Sequence, residues 1–268
     1  MPDQQRLPTE PADRQDTGDP FEMKSAATRT RASAPKPAAP AVVAAGATHG
    51  PSSPDQVVET IKHGILLGRF VPGQRLIEAD MTRDHRVSRG PVREALKRLN
   101  AEGIVALSRH RGAYIRLLTR REVLEILIAL EAVVGLAARL AALNIAQNDH
   151  RARLQAAYDK LNAHGANGDR VLQSIDRNAF YETIFHIAGN HELSRIHPAV
   201  PTQILRMQVY PYLALRDRER QFSDYSQLFD SIRTGNSRGA YRIVVRHLRR
   251  SRLQIRKLPA AAFAEEAS

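Results

Sequence analysis

The stretch Val87-Ser88-Arg89-Gly90-Pro91-Val92-Arg93-Glu94-Ala95-Leu96 contains a helix start that carries two arginines. Ser88 is a good N-cap, because its hydroxyl can accept from a free backbone N–H of the first turn. Pro91 falls inside that turn, where its missing N–H costs nothing. Val92, Leu96 and Leu99 repeat at helical spacing and supply a buried face, and Gly103 stops the helix. Arg89 and Arg93 are four residues apart, so both project from one side of the helix start.

On the N-terminal side, Val57, Val58, Ile61, Ile65 and Leu66 recur at three- and four-residue spacing and predict an amphipathic helix. Gly68 ends it, Pro72-Gly73 make a turn, and a short helix is expected around Glu78 to Arg83. On the C-terminal side, Val105 and Leu107, then Ala113, Ile115 and Leu117, alternate about a turn at Ser108 to Gly112. Three helices followed by a two-stranded ribbon make a winged helix-turn-helix over residues 53–118.

Residues 1–52 are rich in Pro, Ala, Thr, Arg and Asp, with few large apolar side chains, and are expected to be a disordered tail. Thr119-Arg120-Arg121-Glu122 has the spacing of a capping box and opens a long helix to about Asn144. Helices then follow near 149–164, 170–188, 200–216, 219–234 and 237–257. The predicted fold is therefore mainly α: the winged domain, then an all-α bundle of six to seven helices over 119–258. A frayed end is expected over 259–268.

The 268 residues carry 40 Lys plus Arg against 28 Asp plus Glu, a net charge of +12. That balance suits an anionic partner, nucleic acid first and a membrane surface second. There is no cysteine, which excludes disulfides, thiol catalysis and iron–sulfur clusters. The most apolar run, 124–146, is interrupted by Glu125, Glu131 and Arg139, and the N-terminus has no apolar signal core. A soluble, cytoplasmic protein without a membrane partner is expected.

In a helix-turn-helix, the first turns of the second helix meet base edges in the major groove. Ser88, Arg89, Gly90 and Arg93 hold those positions. An arginine fork can grip guanine O6 and N7 together, Ser88 can donate to a phosphate, and Gly90 removes a side chain where the helix meets DNA. The wing tip adds Arg109, Arg111 and Gly112 for the neighbouring minor groove or the phosphates. The competing reading makes Arg89 and Arg93 surface ion-pair partners of Glu94 or Asp84.

The pattern Ile61-x-x-Gly64-Ile65-Leu66-x-Gly68-x-Phe70-x-Pro72-Gly73, then Val87 to Leu96, then Arg98-Leu99-x-x-Glu102-Gly103, resembles the DNA-binding domain of GntR-family bacterial regulators. The resemblance implies homodimers on pseudo-palindromic, double-stranded operators, with Arg89 and Arg93 as base and phosphate contacts. The bundle is similar to the FCD branch, through Leu130-Glu131 to Ala142 and through Glu182-x-x-Phe185-His186-x-x-x-Gly189-Asn190. That branch implies a small-molecule effector, often a carboxylate, frequently beside a divalent metal ion such as zinc.

By the same resemblance Glu182, His186 and His247 become candidate metal ligands, with the carboxylate and His186 four apart on one helix. Tyr225 stands where a further histidine is usual, and Leu127 where an arginine is usual. Tyr225 and Arg206 are then candidates for the effector pocket. The bland alternative leaves His186 and His247 as ordinary buried histidines. Two other functions compete: a metal-dependent hydrolase built on Glu182, His186 and His247, and a constitutive architectural DNA-binding protein.

Overall fold

A computed structural model describes residues 54–108 and 112–266. The expected tail, 1–52, lies outside the described residues, as do Arg109 and Arg111 of the wing tip.

Helix α1 (Pro54–Leu66) buries Val57, Val58, Ile61 and Ile65, the stripe expected from spacing. Its Gly64 is required by close approach: a Cβ there would lie 2.5 Å from the Phe70 ring. Strand β1 (Arg75–Leu76), helix α2 (Glu78–His85) and helix α3 (Arg89–Ala101) follow, then strands β2 (Val105–Ser108) and β3 (Gly112–Ile115). Between α2 and α3 the chain reverses at Arg86, which takes a left-handed φ of 53°. Helix α3 places Val92, Ala95, Leu96 and Leu99 in the core.

The sheet has three strands in the order β1-β3-β2, where a two-stranded ribbon was expected. Arg75 pairs with Tyr114 and Leu76 with Ala113. The Pro72-Gly73 turn brings this segment beside β3, and Gly73 N–H donates to the Ile115 carbonyl at 2.9 Å. Two residues are too short to show a period, so Leu76 alone did not mark a strand.

The bundle comprises α4 (Arg120–Asn144), α5 (His150–Ala163), α6 (Arg170–Ala188), α7 (His191–Ile196), α8 (Ala199–Val209), α9 (Leu215–Arg233) and α10 (Ser237–Lys257). The capping box at Thr119 and Glu122 forms in both directions. Helix α4 runs through the middle against α6 and α10. It is long and apolar enough to meet the composition of a membrane span. Yet it buries Val123, Leu127, Leu130, Val134 and four alanines against the bundle. Its Glu131 pairs with Arg249 and Arg252 of α10. Two arginines of α10 are therefore tied to α4.

Three expectations are corrected. The helix expected over 200–216 ends at Val209, where a 3-10 turn, Tyr210–Tyr212, carries Pro211, which has no N–H to continue the ladder. Helix α9 then starts at Leu215, and the short α7 intervenes behind the Asn190 cap. The end is not frayed through its whole length. Residues Ala260–Ala262 form a 3-10 turn, Ala262 is buried, and Ala264 bridges in parallel to Thr119.

Candidate functional site

At the reading end, Ser88 caps α3 with extended backbone, but its side chain makes no cap bond and stays exposed. Arg89 is exposed and forms no ion pair among the described residues. Gly90 leaves open space: a Cβ would meet nothing within 4 Å. Arg93 pairs across the turn with Glu78 of α2, Nε to Oε2 at 3.0 Å, rather than with Glu94 or Asp84. Asp84 is taken by Arg83. Both pairs are exposed, where such contacts contribute little and yield readily to another anion. Gly112 opens β3 with a φ of 76°, and the guanidinium of Arg75 lies beside it. Arg75 was missed in the sequence because the strand carrying it was missed.

In the bundle, two adjoining cavities of about 60 and 190 Å3 share Arg177, Arg206 and Tyr225 in their walls. Leu66 of α1 lines the first, and Gly68 and Val71 line the second, so the winged domain closes part of both. Arg206 Nη1 donates to the Tyr225 hydroxyl at 3.3 Å, so these two predicted residues do meet.

The predicted metal ligands do not. Glu182 and His247 line the first cavity, but His186 does not. His186 is exposed, with its ring edge-on to His150 at 6.1 Å. The inward stripe of α6 is Gln173, Arg177, Phe180, Ile184 and Ile187, at spacings of three and four. Residues 182 and 186 fall off that stripe, which puts Glu182 at the rim and His186 outside. Among the described residues no three His, Asp or Glu side chains are grouped to hold a metal ion. Two guanidiniums in the wall would also repel a divalent cation, so the residues present do not fit one.

His247 is committed elsewhere. It is buried, and its Nδ1 lies 2.7 Å from Oδ2 of buried Asp224. Arg250 and Arg246 also pair with that carboxylate. Burial alone would raise the Asp224 carboxyl, but the His247 bond and the two arginines hold it below the ordinary range. Burial pushes His247 down against the pull of Asp224.

Arg177, Tyr181, His197 and Thr202 also line the first cavity and were missed in the sequence. Burial, with the charges of Arg177 and Arg206, lowers His197 to about 4, so its ring is neutral near pH 7. The buried His197 Nδ1 and Thr202 Oγ1 have no hydrogen-bond partner. The 3–4 spacing of Arg177 with Phe180 and Ile184 was the available signal.

The comparisons with known proteins agree with this two-part arrangement. The family model for bacterial regulatory proteins of the gntR family matches residues 54–115, and that for the FCD domain matches 122–250. The chain belongs to the GntR family. It is similar to the "Probable D-xylose utilization operon transcriptional repressor" of Paenarthrobacter nicotinovorans, 25% identical over 197 residues that cover 72% of this chain and 84% of that protein. Two solved structures share the fold. E. coli McbR/YncC has a TM-score of 0.63 at 21% identity, over 77% of this chain and 98% of that one. A GntR transcriptional regulator from Rhodococcus sp. RHA1 has a TM-score of 0.63 at 23% identity, over 75% and 96%. This GntR-family protein is a DNA-binding transcription regulator.

Proposed function

We propose that this regulator binds specific operators as a cytoplasmic homodimer, and that a small-molecule effector in the bundle sets its affinity. The observation that carries the effector reading is the shared wall. Leu66, Gly68 and Val71 of the winged domain help to close cavities whose other walls are bundle helices. A molecule bound there meets both parts of the chain. It therefore stabilises one arrangement of the reading helices over another, and the population shifts accordingly.

Sequence reading falls to Arg89 and Arg93 at the open start of α3, supported by Ser88, the space at Gly90 and the wing. A second copy is supported by the outer face of α4, where Ile128, Leu136 and Leu143 are exposed along one side. Leu124 of that helix is only partly buried and continues the same side.

The test begins with operator fragments selected from random duplex DNA by the full chain. Binding is then measured by fluorescence anisotropy with and without a deproteinised small-molecule extract of bacterial cells. A selected consensus with two half-sites, bound with an affinity that the extract changes, is the expected result. Recovery of no consensus would overturn operator reading. An affinity that no extract fraction alters would leave a constitutive DNA-binding protein instead.

A further inference from the structure

Arg75 is held at the root of the wing. In the antiparallel pair of β1 with β3 it faces Tyr114, and its neighbour Leu76 faces Ala113. Successive side chains of a strand point to opposite faces, and cross-strand partners share one. Leu76 and Ala113 are buried, so Arg75 and Tyr114 stand on the outer face of the sheet. Gly112, two residues before Tyr114, opens β3 on that same face. A Cβ on Gly112 would lie 3.7 Å from Arg75 Nη2 and 3.8 Å from its Nε, so the guanidinium lies alongside the glycine where the wing turn begins.

The same short segment also touches the recognition helix. Glu78, three residues beyond Arg75, holds Arg93 of α3 at 3.0 Å. Three residues span at most about 11 Å. Arg75 is therefore placed between the first turns of α3 and the wing. When α3 lies in the major groove and the wing reaches the neighbouring groove or its phosphates, one sugar-phosphate strand must pass between them.

The guanidinium is free to meet that strand. Arg75 is exposed, and among the described residues its side chain forms no ion pair and no hydrogen bond. Its neighbours differ: Arg83 is held by Asp80 and Asp84, Arg93 by Glu78, and Arg116 by Glu122. An arginine fork presents parallel N–H donors that match two oxygens of one phosphate. Such a contact fixes register and orientation and reads no base.

We propose that Arg75 is a phosphate clamp, which grips the backbone strand between the groove read by α3 and the groove reached by the wing. The proposal rests on the operator reading above and adds to it a residue that positions the protein rather than specifying the sequence.

The test compares Arg75→Gln, Arg75→Lys and, as a control, Arg69→Gln in the full chain. Arg69 is an exposed cation next to Gly68, which lines a bundle cavity, so its replacement removes the same charge beside the bundle instead of the wing. Fluorescence anisotropy on the selected operator and on scrambled duplex is recorded over a series of salt concentrations. Arg75→Gln should weaken binding to both duplexes by a similar factor, about three- to tenfold, and lower the slope of log affinity against log salt by about 1 for each chain bound. Arg75→Lys, which keeps the charge, should keep most of the slope. Arg69→Gln should change the slope by less than about half as much.

Operator duplexes in which one phosphate at a time is replaced by an uncharged methylphosphonate locate the contact. At one phosphate in each half-site the replacement should weaken the parent by about threefold or more and Arg75→Gln by less than about twofold. Circular dichroism and melting temperature establish that each variant is folded.

Unchanged affinity and slope in Arg75→Gln would overturn the clamp. So would an equal loss in Arg69→Gln, or the lack of any phosphate at which the two replacements fail to add. A changed base preference at an operator position would overturn it as well, since Arg75 would then be a base reader. If no operator consensus is recovered, operator reading fails, and the salt slope on random duplex still decides for or against the clamp.

Discussion

Gln208 of α8 grips both backbone polar groups of Leu118, the residue just before the Thr119 cap of the long bundle helix. The Leu118 N–H donates to Gln208 Oε1 at 2.9 Å, and Gln208 Nε2 donates to the Leu118 carbonyl at 2.8 Å. The same Nε2 donates to the Ala262 carbonyl at 2.9 Å, so one buried amide joins the interdomain link, the bundle and the C-terminal turn. Replacing it with an apolar residue strands the Leu118 N–H and the Ala262 carbonyl, while the Leu118 carbonyl keeps the Ala264 N–H at 3.0 Å.

Gln208→Leu should therefore destabilise the chain by more than a surface substitution, at about 1–3 kcal/mol for each group left unpaired. Part of that is recovered if the C-terminal turn detaches and lets water in. Chemical denaturation gives the loss, and proteolysis near residue 260 reports the detachment. An unchanged midpoint would show that these bonds contribute nothing net.

Arg93 and Glu78 make a second separable case. Their ion pair is exposed, so Glu78→Gln should change stability by less than about 1 kcal/mol. It should raise affinity for non-specific duplex DNA, because Arg93 is then free for phosphate. Arg89→Ala should cost about 1–3 kcal/mol of discrimination at one base pair, and Arg93→Ala a comparable amount at its own contact. Anisotropy on the selected operator and on scrambled duplex separates these effects. Equal losses on both duplexes for Arg89→Ala would mean that Arg89 holds only the backbone.

The reading end was legible because local rules suffice there. Ser88, Pro91 and the stripe Val92, Leu96, Leu99 specify where α3 starts and which side it buries, and Arg89 and Arg93 must then lie outside. The ligand end depends on rotation about α6, which a carboxylate and a histidine four apart do not determine. Phe180, Ile184 and Ile187 set that rotation, turning Arg177 inward and His186 outward. The partner of His247 was hidden for another reason. Asp224 is on a different helix, and only the packing of α9 on α10 brings the two side chains together.

Asp224 anchors that packing. Asp224→Asn would leave Arg246 and Arg250 without their carboxylate while keeping an oxygen for His247. The expected destabilisation falls below the roughly 3–5 kcal/mol of a fully buried broken pair, because both arginines reach solvent. The Asp224 carboxyl is held low in the folded state, so its contribution is present above the ordinary value of 3.8. It is lost as pH falls through the folded value. Urea titrations at pH 7 and pH 3 should show a variant deficit at pH 7 that shrinks at pH 3. A deficit independent of pH would assign the loss to shape rather than charge.

His197 acts over a different range. Its pKa falls from the ordinary 6.5 to about 4, through burial first and then the charges of Arg177 and Arg206. Between those two values the unfolded chain binds a proton there and the folded chain does not. Stability from this residue is therefore full above about pH 6.5 and declines as pH falls towards 4, by a total on the order of 3 kcal/mol. His197→Asn, which has no group titrating there, should flatten that part of the stability curve. Calorimetric melting from pH 7.5 to 4.5 checks the slope. A carboxylate in the cavity should oppose the decline, because an anion beside His197 favours its protonated form. If parent and variant lost stability in parallel across this range, the ring would not be the group that titrates.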